Sequence, residues 1–322
     1  MKLSDHILPL SLLAAGLLAG CSGDGDVAGP APSRDVIRLS AVDAWQDLSG
    51  TSRSVTLYGG ASPLTAGDFR LSAYTSGSGK AYFTGERVSY GGTPAGWCFG
   101  GGRQQYWPQD EKLDLVAFMP YDAAGTPVAP SGISFSPSSG PSFSASLPSS
   151  SAGQDGLHEL LYAYEPGKSR TDDGGRVSLT FRHPFASALL KLSKAHPGIT
   201  IHSVTFKDVM TSGTYSHQSQ GWSGLGTPSD FTVSVGGTFG DEQASYPLAV
   251  SGPFLLLPQQ FPAGVKVAVS YTEDGVADTK ETTLGITGWQ PGHAYAYVLT
   301  IDTYLKVEIQ SMNINNWTKY VW

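Results

Sequence analysis

The chain has 322 residues, a formal net charge of −7, 15% charged residues, 40 glycines and 11% aromatic residues. An acidic balance with no block of Lys and Arg argues against a nucleic-acid partner. The length permits two domains or one large one, and a chain rich in glycine and aromatics but poor in charge suits short strands and turns better than helices.

Lys2 gives a positive start, and Ile7–Leu18 is an apolar run broken only by Pro9, Ser11 and Gly16. The run is too short to span a bilayer as a helix, so residues 1–20 read as a secretion signal. It ends in Leu18-Ala19-Gly20-Cys21, which resembles the bacterial lipobox. The resemblance implies a diacylglycerol on the Cys21 thiol and an outer-membrane lipoprotein held by acyl chains of the palmitate class. Each buried methylene of such a chain contributes about 0.8 kcal/mol, so several chains on one residue anchor durably. Residues 21–35, with small residues, Pro30 and Pro32, cannot bury enough surface to offset ordering entropy and read as a flexible tether. Asp24 and Asp26 there resemble the acidic signal that sends Bacteroidetes lipoproteins to the cell surface. With Cys21 committed to lipid, Cys98 is left alone, which excludes a disulfide scaffold and makes it a small core residue between Trp97 and Phe99.

Val36–Val42 has strand character, with Ile37, Leu39 and Ala41 on one face. A polar loop of small residues, Asp47–Ser54, contains Arg53, and Val55-Thr56-Leu57 resumes the pattern. Ser136–Gly156 is dense in Ser, Pro and Gly and reads as a long loop. The polar stretch Glu165–Gly175 separates two strand-rich halves and predicts an N-terminal β-sandwich over 36–170 and a C-terminal one over 171–322. Beyond it, Val177, Leu179 and Phe181 alternate with polar residues. So do Phe231, Val233 and Val235, then Val265, Val267, Val269 and Tyr271, then Tyr295, Tyr297, Leu299 and Ile301. Leu305, Val307 and Ile309 repeat the pattern once more. Period two buries one face and wets the other, as in antiparallel sheets, and turns at Asp173-Gly174-Gly175, Glu273-Asp274-Gly275 and Pro291-Gly292 separate the runs. The expected fold class is all-β, built of antiparallel β-sandwiches.

No catalytic, metal-binding or cofactor-binding set emerges. None of the seven histidines forms an H-E-x-x-H pair, and there is no cysteine cluster. Gly167-Lys168-Ser169 imitates the end of a P-loop, but Tyr162 stands where the leading glycine must be. Gly221-Trp222-Ser223-Gly224 opens like a nucleophile elbow, but Leu225 replaces the closing glycine. His183, before Pro184, reads as a structural histidine, and Asp172/Asp173 and Asp241/Glu242 as solvated turns.

An ordered series of motifs is similar to the Bacteroidales fimbrillins. It runs through Tyr106-Trp107-Pro108, Leu113–Pro120 and Glu159-Leu160-Leu161-Tyr162-Ala163, where the family more often has Asp before the leucines. It continues with Val177–His183, Gly213-Thr214-Tyr215 with Trp222, Leu256–Gln259 and Trp289–Tyr295. The resemblance implies a type V pilus subunit with two transthyretin-like β-sandwich domains, located in a surface fimbrium and serving cell adhesion. Its expected partners are other pilin subunits, the outer membrane through the lipid, an Arg-specific processing protease, and a host surface or glycan. In that family the protease cuts behind the first strand, and Arg53 occupies the matching place, with Arg34 and Arg38 as alternatives. Loss of the first strand opens a groove for a neighbour's segment, for which Leu305, Val307 and Ile309 are the donor candidates. The alternative class is a surface lipoprotein that binds glycans or host molecules without polymerising. Tyr106, Trp107 or Trp222 would then stack on sugars, although aromatic residues of β-sandwiches more often build cores.

Overall fold

The computed structural model describes residues 35–44, 67–92, 95–121, 130–194, 199–235, 249–301 and 306–308. Within these the chain is strand and turn, with short 3₁₀ turns and no α-helix. The first strands are β1 (Arg38–Ala44), β2 (Phe69–Thr75), β3 (Ala81–Tyr90), β4 (Trp97–Phe99) and β5 (Leu113–Met119). Next come β6 (Ser131–Ser136), β7 (Gly140–Ser146), β8 (Leu161–Lys168) and β9 (Arg176–Phe181). The later ones begin with β10 (Ala186–Lys194), β11 (Ile199–Val209), β12 (Ser212–Ser216), β13 (Gly221–Ser223) and β14 (Ser229–Ser234). They end with β15 (Ala249–Leu256), β16 (Gln259–Gln260), β17 (Val265–Glu273), β18 (Val276–Leu284), β19 (Gly288–Trp289), β20 (Ala294–Ile301) and β21 (Lys306–Glu308).

The first sheet has the order β8-β5-β2-β3-β4-β1-β9. Its two ends meet where Tyr162 and Arg182 exchange backbone hydrogen bonds of 3.1 and 2.8 Å, so the sheet curls nearly into a closed ring. Alternation along β2 and β9 directs Phe69, Leu71, Val177, Leu179 and Phe181 into its core, with Trp97, Trp107 and Leu115. Two four-stranded sheets, β15-β10-β20-β21 and β14-β11-β17-β18, face each other over a second core that includes Leu190, Phe206, Val267, Trp289 and Tyr297. The long runs read from the sequence are strands there: Phe231 and Val233 on β14, Val265–Tyr271 on β17, Tyr295–Leu299 on β20.

A third core joins the halves. The sheet β13-β12-β7-β6 takes two strands from each half, with Tyr215 of β12 opposite Phe143 of β7. Its inner residues Phe143, Ala145 and Tyr215 pack on Val116, Phe118 and Tyr162 from the outer face of the first sheet, and on Phe185 and Leu255. Residues 149–151 then bridge to Thr232 of β14, and the buried amide of Gln154 both donates to the Leu255 carbonyl (3.0 Å) and accepts from its N–H (2.7 Å).

Four expectations need correction. Ser136–Gly156 is not a long loop. Phe143, Ala145 and Leu147 alternate with serines, and this weakly apolar set is buried because β12 and the first sheet lie on either side of it. The stretch Glu165–Gly175 does not divide the sheets either, since β9, beyond it, pairs with β1 and fills the first core. Antiparallel pairing predominates, but β1/β9 and β10/β20 are parallel. Near-continuous burial along β10 and β20 is the mark of strands covered on both faces. Cys98 is half-buried rather than in the core, because Trp97 and Phe99 take the inward positions on either side of it.

Candidate functional site at the first strand

β1 lies between β4 and β9, near one end of the first sheet. To β4 it is matched at the single pair Leu39–Trp97, whereas to β9 it runs parallel from Arg38–Arg176 to Ala44–Phe181. A bulge between Leu39 and Ala41 re-phases it, so Val42 rather than Ala41 stands opposite Leu179. Ile37 (2% exposed) and Leu39 (8%) fill the first core, each contributing roughly 1.5–3 kcal/mol. The lead-in is held by backbone bonds to the segment before Pro108. Ile37 N–H donates to the Gln105 carbonyl (2.8 Å) and Trp107 N–H to the Asp35 carbonyl (2.5 Å).

The walls of this slot are built of packed aromatic rings. Phe69 packs on Trp97 at 5.0 Å and edge-on to Phe181 at 5.4 Å. Trp107 is buried, and its indole Nε1–H donates to the Gly175 carbonyl (3.1 Å), which ties the lead-in segment to the turn before β9. Trp107 and Gly175 were not singled out as a pair by the sequence; the only hint is a tryptophan whose polar edge needs a partner once buried. Among the described residues, β1 is the sole ladder partner of β9 in this sheet apart from the Tyr162–Arg182 bridge. Taking β1 away therefore leaves a gap between β4 and β9 floored by apolar side chains.

At the other end of the molecule, β21 pairs antiparallel with β20 over Lys306–Glu308, placing Val307 opposite Leu299. Leu305 and Ile309 lie outside the described residues, as do Cys21, Arg34 and Arg53. Arg38 opens β1 itself.

Of the aromatic candidates, Tyr106 is 49% exposed. Trp107 is buried in the first core, and Trp222, half-buried, packs against the third, stacking on Phe185 at 5.1 Å and donating from Nε1 to the Pro184 carbonyl (2.6 Å). His183 is structural in placement, its Nδ1 lying 2.7 Å from Oε1 of Glu159 with both side chains buried. In the joining core the hydroxyls of Tyr162 and Tyr215 are 3.1 Å apart and His217 Nδ1 lies 3.3 Å from Tyr162. Burial raises the pKa of both tyrosines and of Tyr164, the last to about 12, and it lowers that of His217. Among the described residues no group of three His, Cys, Asp or Glu side chains lies together as a metal site. None of their helices is long and apolar enough to cross a membrane, which says nothing of a β-barrel.

Solved structures share the fold. A candidate cell adhesion protein of Bacteroides uniformis aligns at a TM-score of 0.54 with 18% identity, over 88% of this chain and 100% of its own. A fimbrial protein of Bacteroides vulgatus gives 0.53 and 15% over the same shares. A candidate cell adhesion protein of Bacteroides ovatus gives 0.51 and 15%, over 88% and 99%. No curated protein matches the chain. The sequence profile of the fimbrillin-like family matches residues 64–317, and by that match the chain belongs to the fimbrillin-like family.

Proposed function

We propose that this chain is a fimbrial subunit serving cell adhesion, exported as a surface lipoprotein on Cys21 and assembled by strand exchange after cleavage behind Arg53. The observation that carries the reading is the setting of β1, a strand at the start of the described chain, seated between β9 and a β4 that it meets at one ladder pair. The long connection from β1 to β2 contains Arg53, and cleavage there separates β1 covalently from the body. A neighbour's C-terminal segment, with Leu305, Val307 and Ile309 alternating, then replaces Ile37 and Leu39 in the slot. Val307 pairs with Leu299 of its own chain, and the exchange would trade that pairing for the slot of a neighbour. The two domains we infer divide after Phe181, where the sheet pairing changes.

The test is to treat purified precursor with an Arg-specific protease, sequence the new N-terminus and look for ladders resistant to mild detergent. A new N-terminus at Ser54 with multimers is expected. A product that stays monomeric with homologous subunits supplied rejects the exchange. The anchor has its own test. Cys21→Ala should abolish palmitate labelling. Labelling kept by the mutant contradicts the lipid anchor.

A further inference from the structure

On the outer face of the first sheet, Arg70 of β2 and Arg87 of β3 are direct cross-strand partners. Like charges placed opposite one another in an antiparallel pair repel and destabilise it, and this pairing stands in a chain of net charge −7. A feature that breaks a local rule without stabilising the fold is where function is to be sought.

The surroundings hold the two guanidinium groups together. Tyr121, just beyond the end of β5, brings its ring centroid within 5.2 Å of the Arg70 guanidinium and 5.3 Å of that of Arg87. Tyr121 is itself fixed by donating its N–H to the Asp68 carbonyl at 2.7 Å. The Asp68 carboxylate accepts from Nε of Arg87 at 2.6 Å and so neutralises one of the two charges. Arg70 is exposed, and its guanidinium has no hydrogen bond or ion pair among the described residues. Gly85 adjoins the Arg70 stem, where a side chain would cover it, and supplies none. Arg70 thus carries a charge that no ion pair among the described residues offsets, on a planar fork pre-positioned over an aromatic ring with five donors unspent.

We propose that Arg70, Arg87 and Tyr121 form a receptor for the oxyanion, carboxylate or sulfate, of an acidic saccharide. A planar fork held on a ring suits bidentate capture of such a group, and a second cation beside it becomes favourable once the anion is present. The saccharide class rests on the adhesive role proposed above; the site is independent of strand exchange, so a failure here leaves the ladder experiment untouched.

The full chain is titrated by calorimetry with sialyllactose, a sulfated lactose, neutral lactose and a glutamate-rich peptide, and melting temperatures are recorded for wild type, Arg70→Gln and Arg70→Lys. At least one acidic sugar should bind and lactose should not, with the one that binds identifying the oxyanion. Arg70→Gln should weaken binding by about tenfold or more, with Arg70→Lys falling between. The melting temperature of Arg70→Gln should stay or rise, because the cross-strand repulsion is gone. Equal binding by wild type and Arg70→Gln, no binding of either acidic sugar, binding of the peptide alone, or a loss that tracks a fall in melting temperature would overturn the proposal.

Discussion

Among the described residues two strand pairs are parallel, and they differ in register and in their second neighbours. β10 and β20 match over eight consecutive residues, from Ser187–Ala294 to Lys194–Ile301, without a register break, and β10 is locked on its other side by β15. β1 and β9 match over six pairs with a bulge, and β1 touches β4 in the ladder at one pair only. The same strand direction is held by an unbroken ladder in one place and by a bulged one in the other, and on our proposal only the second is detachable. What differs is the second neighbour: β15 pairs with β10 at six positions, whereas β4 meets β1 at one.

That contrast can be broken from the second core first. Phe206 of β11 packs on Phe254, Trp289 and Tyr297, so Phe206→Ala should lower unfolding free energy by about 3–5 kcal/mol in urea titrations, with no change in protease access to the first loop. Leu39→Ala in β1 should cost less, about 2 kcal/mol, and should hasten loss of the strand after cleavage. If the two variants destabilise equally, the strands are not different in kind.

The junction between the halves sharpens the comparison. In Gln154→Leu the N–H and carbonyl of Leu255 remain buried without their partner, at a cost of about 2 kcal/mol. A calorimetric scan should show one transition in wild type and a split or broadened one in the variant. The smallest effect concerns pH. Burial lowers the pKa of His217, so the fold prefers its neutral ring; that contribution is complete above the ordinary value of 6.5 and is lost as pH falls below it. Tyr164, raised to about 12 from 10.0, contributes fully below pH 10 and loses it between 10 and 12, modestly because the ring is partly solvated. Melting temperatures across pH 5–11 should therefore decline at both ends, and His217→Phe should flatten the acid limb.

Strands whose apolar residues alternate strongly were legible in the sequence, because Val177-Leu179-Phe181 or Val265-Val267-Val269 report burial directly. Which strands pair was not, since period two is the same in a parallel and an antiparallel ladder. The turn Asp173-Gly174-Gly175 reads as a domain linker, yet it only turns the chain into β9. The strap from Ser131 to Leu157 was hidden by its composition: serines supply the outer face, and a single Phe143 carries most of the inner one. At the first strand, the apolar positions Ile37 and Leu39 were readable, but the bulge behind them was not, because it is fixed by the register with β9.

The most direct measurement is native mass spectrometry of protein cleaved behind Arg53, mixed with a synthetic peptide of residues 302–322. The account predicts that the fragment carrying β1 leaves and one peptide takes its place on a body that stays folded. A fragment that remains bound under excess peptide, or a body that unfolds as the fragment departs, would contradict it.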